Sequence, residues 1–200
     1  FLIPRTMTDR KQIGLFGGMF DPPTMAHLLV AEWVLDALNL SQIWWMPAWV
    51  NPLKRDQITT DPSLRLKMLQ QTLAEHSRFV VRDDEVLRSG PSYTIDTLRN
   101  LQDQHPTHDF TLILGADSIA NISKWKEHSE ILQRVSIAVV ARPGWNMDEV
   151  AKEIRGKIRT VEFPPLPISS THVRERVTDG KSIRYLVPEA IRQFIEKHEL

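Results

Sequence analysis

The sequence contains no cysteine. Disulfides, thiolate nucleophiles, cysteine-bound zinc and iron–sulfur centres are therefore excluded, and the absence fits a reducing, cytoplasmic setting. Charge of one sign is also missing: 25 Lys and Arg balance 25 Asp and Glu, and the isoelectric point is near 7.3. Such a chain has no broad electrostatic grip on nucleic acid or on an acidic membrane. Cations for an anionic ligand must instead be gathered locally. No apolar run approaches the ~18–20 residues that span a bilayer. The opening "FLIPRTMTDRKQ" lacks the apolar centre and small-residue cleavage site of a secretory signal. Neither the GxxxxGK[ST] phosphate loop, the GxGxxG fingerprint nor HExxH occurs.

What is present suits a globular chain. Of its 200 residues, 42% are hydrophobic and 25% charged, enough to bury a sizeable core. Residues 1–10 read as an extension outside the fold, with Met7 a candidate native start. Residues 11–200 read as one domain.

Short apolar runs alternate with amphipathic stretches. Strands are expected at Ile13–Phe16, Gln42–Ala48, 78–83, Phe110–Gly115, Ser136–Arg142 and 158–163. Helices are expected at Ala26–Leu38, after the Asp61–Pro62 cap, at Ser92–His105, 125–135 and 147–156, with two more closing the chain. The alternation predicts an α/β fold, a doubly wound parallel sheet with C-terminal helices. Ligands of such sheets bind beyond the carboxyl ends of the strands. The chemistry should then sit in the loops 17–27, 48–61, 115–125 and 168–174.

Two motifs fall in those loops. "LFGGMFDPPTMAH" joins the first strand to the first helix. Gly17 and Gly18 let backbone approach a ligand closely. The helix start offers unpaired N–H groups to phosphate, and Thr24 and His27 share its first turn. The same residues also make a plain strand–helix turn with a capping threonine. Near the other end lies "PISSTHVRERV", where Ser169, Ser170 and Thr171 precede a helix and Arg174 sits one turn in. Hydroxyls there cap the helix or bind phosphate, and the guanidinium can fork onto phosphate oxygens.

The first motif resembles GxFDPxHxGH of the HxGH nucleotidyltransferase superfamily, and the second its ISSTxxR. Thr24 stands at the first histidine, Ala26 at the glycine, and Met19 where threonine is frequent. Threonine cannot carry charge, so more falls on His27. "SYTIDTL", "GADSIANISKW" and "YLVPEAIRQFI" are similar to segments of bacterial nicotinate-nucleotide adenylyltransferases. The likeness runs from about Ile13 to His198.

That resemblance implies adenylyl transfer from ATP to nicotinate mononucleotide, giving nicotinate adenine dinucleotide and pyrophosphate. It implies Mg²⁺ carried on the ATP phosphates and no protein metal site. His27, Thr24, Lys54 and Arg174 would be the catalytic set, with a protonated His27 neutralising phosphate charge once ATP is bound. Gly17, Gly18, Phe20, Ser169, Ser170 and Thr171 would join them around ATP. Thr94, Asp117, Trp125 and Lys126 would take the pyridine nucleotide: Trp125 stacking on the ring, backbone N–H groups near Thr94 and Lys126 receiving its carboxylate, and Asp117 meeting a sugar or polar edge. Transfer to nicotinamide mononucleotide or to phosphopantetheine, and a non-catalytic nucleotide sensor, remain alternatives. Association with further copies of the chain is left open.

Overall fold

The computed structural model describes residues 10–53, 60–142, 144–146, 150 and 152–200. Lys54, Met7 and residues 147–149 of the expected fifth helix lie outside them.

Among the described residues six strands form one sheet: β1 (Lys11–Gly18), β2 (Gln42–Pro47), β3 (Phe79–Val81), β4 (His108–Gly115), β5 (Ser136–Ala141) and β6 (Ile158–Glu162). Their spatial order is β3-β2-β1-β4-β5-β6 and every pairing is parallel. From β1 the chain winds outward through β2 to β3, then crosses back to lay β4 on the free side of β1. The strand order therefore reverses between β1 and β4, which opens a crevice at their carboxyl ends.

The helices are α1 (Met25–Ala37), α2 (Pro62–Leu73), α3 (Asp84–Arg88), α4 (Thr94–Gln104), α5 (Ala116–Ala120), α6 (His128–Arg134), α7 (Lys152–Arg155), α8 (Ser170–Thr178) and α9 (Glu189–His198). α2 starts as Asp61–Pro62 predicts, with the Asp61 carboxylate accepting from Ser63 N–H at 2.8 Å. α3 departs from the expected pattern, because a five-residue helix is too short to show periodicity. The stretch 125–135 also departs. Trp125 is extended and only His128–Arg134 is helical, after a short 3₁₀ turn at Ile122–Lys124.

Period-2 alternation in the sheet divides the core. Ile13, Leu15, Trp44 and Leu112 pack with Ile95, Leu98 and Leu101 of α4 on one face. Ile43, Trp45, Ile113 and Ala138 pack with Ala31, Val34 and Leu35 of α1 on the other. Trp44 and Trp45 thus fill opposite layers. Gly14 faces the second layer, where a Cβ would lie 2.8 Å from Leu40 and 2.9 Å from Ile113; the crossing leaves room only for hydrogen. A third cluster seats α9 on α2, with Met68 against Val173, Val187, Ile191 and Phe194. This cluster ties the chain's last helices to the side of the sheet that carries the β1–α1 turn.

Candidate active site

Two half-sites meet at the carboxyl end of β1. The first is the β1–α1 turn with the start of α8. Phe20, at φ +49, turns the chain back on itself. Its ring is buried and packs edge-on against Phe16 at 5.6 Å and His27 at 5.3 Å. It also covers Gly18, where a Cβ would come within 3.1 Å of the ring. Phe20 is therefore a packing residue under the turn, and only its backbone is available to a nucleotide. Gly17 is the opposite case, exposed with no atom within 4 Å of the place a Cβ would occupy.

Thr24 caps α1 and is fully buried. Its backbone N–H donates to His27 Nδ1 at 3.0 Å, and its hydroxyl lies 2.8 Å from the same nitrogen. With Nδ1 accepting, the imidazole proton resides on Nε2. Burial holds the His27 pKa down to about 4, from an ordinary 6.5. In the ligand-free chain His27 is thus a neutral Nε2–H donor rather than the imidazolium expected with ATP. Thr24, expected in the catalytic set, has its hydroxyl turned to the histidine, whose tautomer it helps set.

α8 docks directly on this turn. Ser170 Oγ donates to Pro22 O at 2.8 Å, and Arg174 Nη1 donates to Asp21 O at 2.7 Å across 153 positions of sequence. Arg174 Nη2 lies 3.3 Å from Thr171 Oγ1. Ser169 caps α8, its hydroxyl accepting from His172 N–H at 3.1 Å. Ser170 therefore spends its proton on docking, whereas Thr171 and Arg174 remain exposed. Beside this junction Ala26, Val30, Val140, Phe163 and Leu166 line a second, apolar hollow of about 640 Å³.

The second half-site is a cavity of about 790 Å³ between β1 and β4. Gly17, Gly18 and Met19 form one wall; Thr94, Asp117, Trp125 and Lys126 all line it, with Asn51, Glu85, Ser92, Tyr93 and Lys124. Thr94 opens α4, and no side chain caps that helix at Tyr93, so its first N–H groups suit an anion. Trp125 is half-buried. Lys126 Nζ lies 4.8 Å from the Tyr93 ring centre and 3.1 Å from Asp96.

Two polar residues of this region, Arg65 and Glu85, lie outside the motifs, and a third, Ser92, is the first residue of SYTIDTL. Arg65 lies wholly buried in α2. Glu85 and Ser92 are buried at the cavity wall, and Thr97 Oγ1 donates to Glu85 Oε1 at 2.7 Å. Burial pushes the Glu85 carboxyl up, partly offset by bonds from Thr97 and Ser92. For Arg65 a signal exists: it stands in register with Met68, Leu69 and Leu73 on the apolar stripe of α2.

Residues 15–176 match the cytidylyltransferase-like family. A "Probable nicotinate-nucleotide adenylyltransferase" of Geobacillus thermodenitrificans is 44% identical over 189 residues, covering 94% of this chain and 85% of the relative. One so named from Salinibacter ruber is 44% identical over 188 residues, covering 94% and 96%. Among solved structures, the Plasmodium falciparum nicotinic acid mononucleotide adenylyltransferase complexed with NaAD shares the fold at a TM-score of 0.79. It is 23% identical and the match covers 95% of this chain and 97% of that one.

Proposed function

The chain belongs to the nicotinate-nucleotide adenylyltransferase family, and from that premise and the site geometry we infer that it transfers the adenylyl group of ATP to nicotinate mononucleotide. The observation that carries this reading is the docking of α8 on the β1–α1 turn. It brings the start of α8, with Thr171 and Arg174, onto the turn that leads into His27, and this supports a triphosphate site beside the cavity taken here for the pyridine nucleotide.

In this reading a phosphate oxygen of nicotinate mononucleotide attacks the α-phosphorus of ATP in line. The new O–Pα bond forms as the bond to the β-phosphate oxygen breaks, and pyrophosphate leaves. The attacking oxygen is already ionised near neutral pH, so no general base is needed. Catalysis is then positioning and charge stabilisation. His27 donates from Nε2 to the phosphates, and the approaching polyanion raises its pKa. Arg174 and Thr171 hold the β- and γ-phosphates, with Gly17, Gly18 and Ser169 lining their path and Lys54 as a further cation. Ser170 acts by seating α8. The donors here are amides, hydroxyls, an imidazole and a guanidinium, which suit phosphate oxygens better than a cation. Mg²⁺ therefore enters as MgATP, part of the substrate.

The apolar hollow by Val30, Val140 and Phe163 suits the adenine. On the other side Trp125 stacks on the pyridine ring, and the uncapped N–H groups of α4 at Thr94, with that of Lys126, receive its carboxylate. Asp117 accepts from a ribose hydroxyl. The test is pyrophosphate release from MgATP with nicotinate mononucleotide, nicotinamide mononucleotide or phosphopantetheine. Release with the first supports the reading. No release with any of the three, alongside tight ATP binding, marks a sensor instead.

A further inference from the structure

The Arg65 guanidinium makes three charge-assisted bonds, each to a backbone carbonyl of a different segment. Nη1 donates to Met19 O at 2.7 Å, Nη2 to Trp49 O at 2.9 Å and Nε to Thr60 O at 2.9 Å. Met19 belongs to the wall of the cavity that continues into the β1–α1 turn. Trp49 follows β2 and faces the other way. Its N–H donates to Ser92 Oγ at 3.0 Å, while Ser92 N–H donates to Val50 O at 3.0 Å. Ser92 immediately precedes Tyr93 and Thr94. One residue, Trp49, is thus held through its carbonyl by Arg65 and through its N–H by Ser92.

Burying a guanidinium is costly unless every donor direction finds a partner, as the three carbonyls provide here. Arg65 occupies the apolar stripe of α2, beside Met68 and Leu69, where a methionine would pack. Its fork reaches carbonyls of three segments at once, which a lysine's single nitrogen cannot do. We propose that Arg65 is a positioning residue that sets the pyridine half-site against the triphosphate half-site, acting through Trp49 and Ser92.

The proposal rests on the adenylyl-transfer reading and is tested with Arg65→Met, Arg65→Lys, Ser92→Ala and the Arg65→Met/Ser92→Ala double variant of the full chain. Steady-state pyrophosphate release should show the KM for nicotinate mononucleotide raised about five-fold or more in each single variant. Arg65→Met should also lower kcat, since it releases Met19, and is compared at a temperature where circular dichroism shows it folded. In the double variant the KM should rise no further than in Arg65→Met alone, because both changes act on one residue, Trp49. Unchanged KM and kcat in folded Arg65→Met, or KM effects that multiply, overturn the proposal. If Arg65→Met does not fold, Arg65→Lys decides: a raised KM supports the role and a parental KM refutes it. Amide hydrogen exchange separates this inference from the activity itself. Arg65→Lys should speed exchange at the Trp49 and Ser92 amides about ten-fold while Leu15 and Ile113 in the sheet stay protected. Parental exchange at both loop amides overturns the proposal whether or not the parent chain is active with these substrates.

Discussion

Replacing His27 by glutamine isolates one consequence of its burial. Glutamine at the third position of α1 can still accept from the Thr24 N–H through its side-chain oxygen, so the cap survives while the titration is lost. In the unfolded chain the imidazole takes a proton near 6.5; in the folded chain it does so only near 4. Its folded pKa is depressed, so the unfolded state binds more protons between those values, and stability falls as pH falls through that window. Above pH 6.5 neither state is charged there and the penalty vanishes. The full shift is worth about 3 kcal/mol, of which about 2 kcal/mol accrues between pH 7 and pH 5. With a urea slope of about 2 kcal/mol/M, the parent midpoint should drop about 1 M further than that of His27→Gln over this interval. Every other titrating group, Glu85 included, is common to both proteins and cancels. Parallel midpoint curves for parent and variant would refute the claim that the folded chain refuses this proton.

Three further outcomes follow from the site and the core. His27→Ala should lower kcat about 10²-fold or more with the fold intact, as loss of a donor to developing charge does elsewhere; stopped-flow or coupled pyrophosphate release measures it. Trp125→Ala should raise the KM for nicotinate mononucleotide about five-fold and leave that for ATP within two-fold, in keeping with the worth of an aromatic stacking contact; equal effects on both would remove the stacking role. Leu98→Ala, which empties a fully buried position between α4 and the sheet, should cost about 2–5 kcal/mol in urea unfolding at pH 7.

The sheet was readable because its strands are short continuous apolar runs, the mark of strands buried on both faces. The turn at Phe16–Pro23 was readable as a motif but not as packing. Nothing in "GGMFDPP" says that Phe20 folds under Gly18, since that depends on a positive φ and on Trp45 arriving from β2. Thr24 and His27 could be placed on one helical turn from their spacing, yet their mutual bond, which fixes the tautomer, needs side-chain geometry. That the β1–α1 turn and the start of α8 come together followed from family likeness alone; physically it depends on α9 packing against α2, a contact of separate amphipathic faces. Arg65 belongs to no motif, and a guanidinium is ordinarily exposed. Its place on the apolar stripe was the available sign. Glu85 gave none, and Ser92 was legible only as the first residue of SYTIDTL, since the role of both arises from three loops converging.

Adenylyl transfer at this site requires one triphosphate lying between α1 and α8. A crystal structure of the chain with a non-hydrolysable ATP analogue tests it most directly. The phosphates should lie within hydrogen-bond reach of His27 Nε2 and the Arg174 guanidinium, with the adenine toward Phe163. A triphosphate bound elsewhere, touching neither side chain, would contradict it.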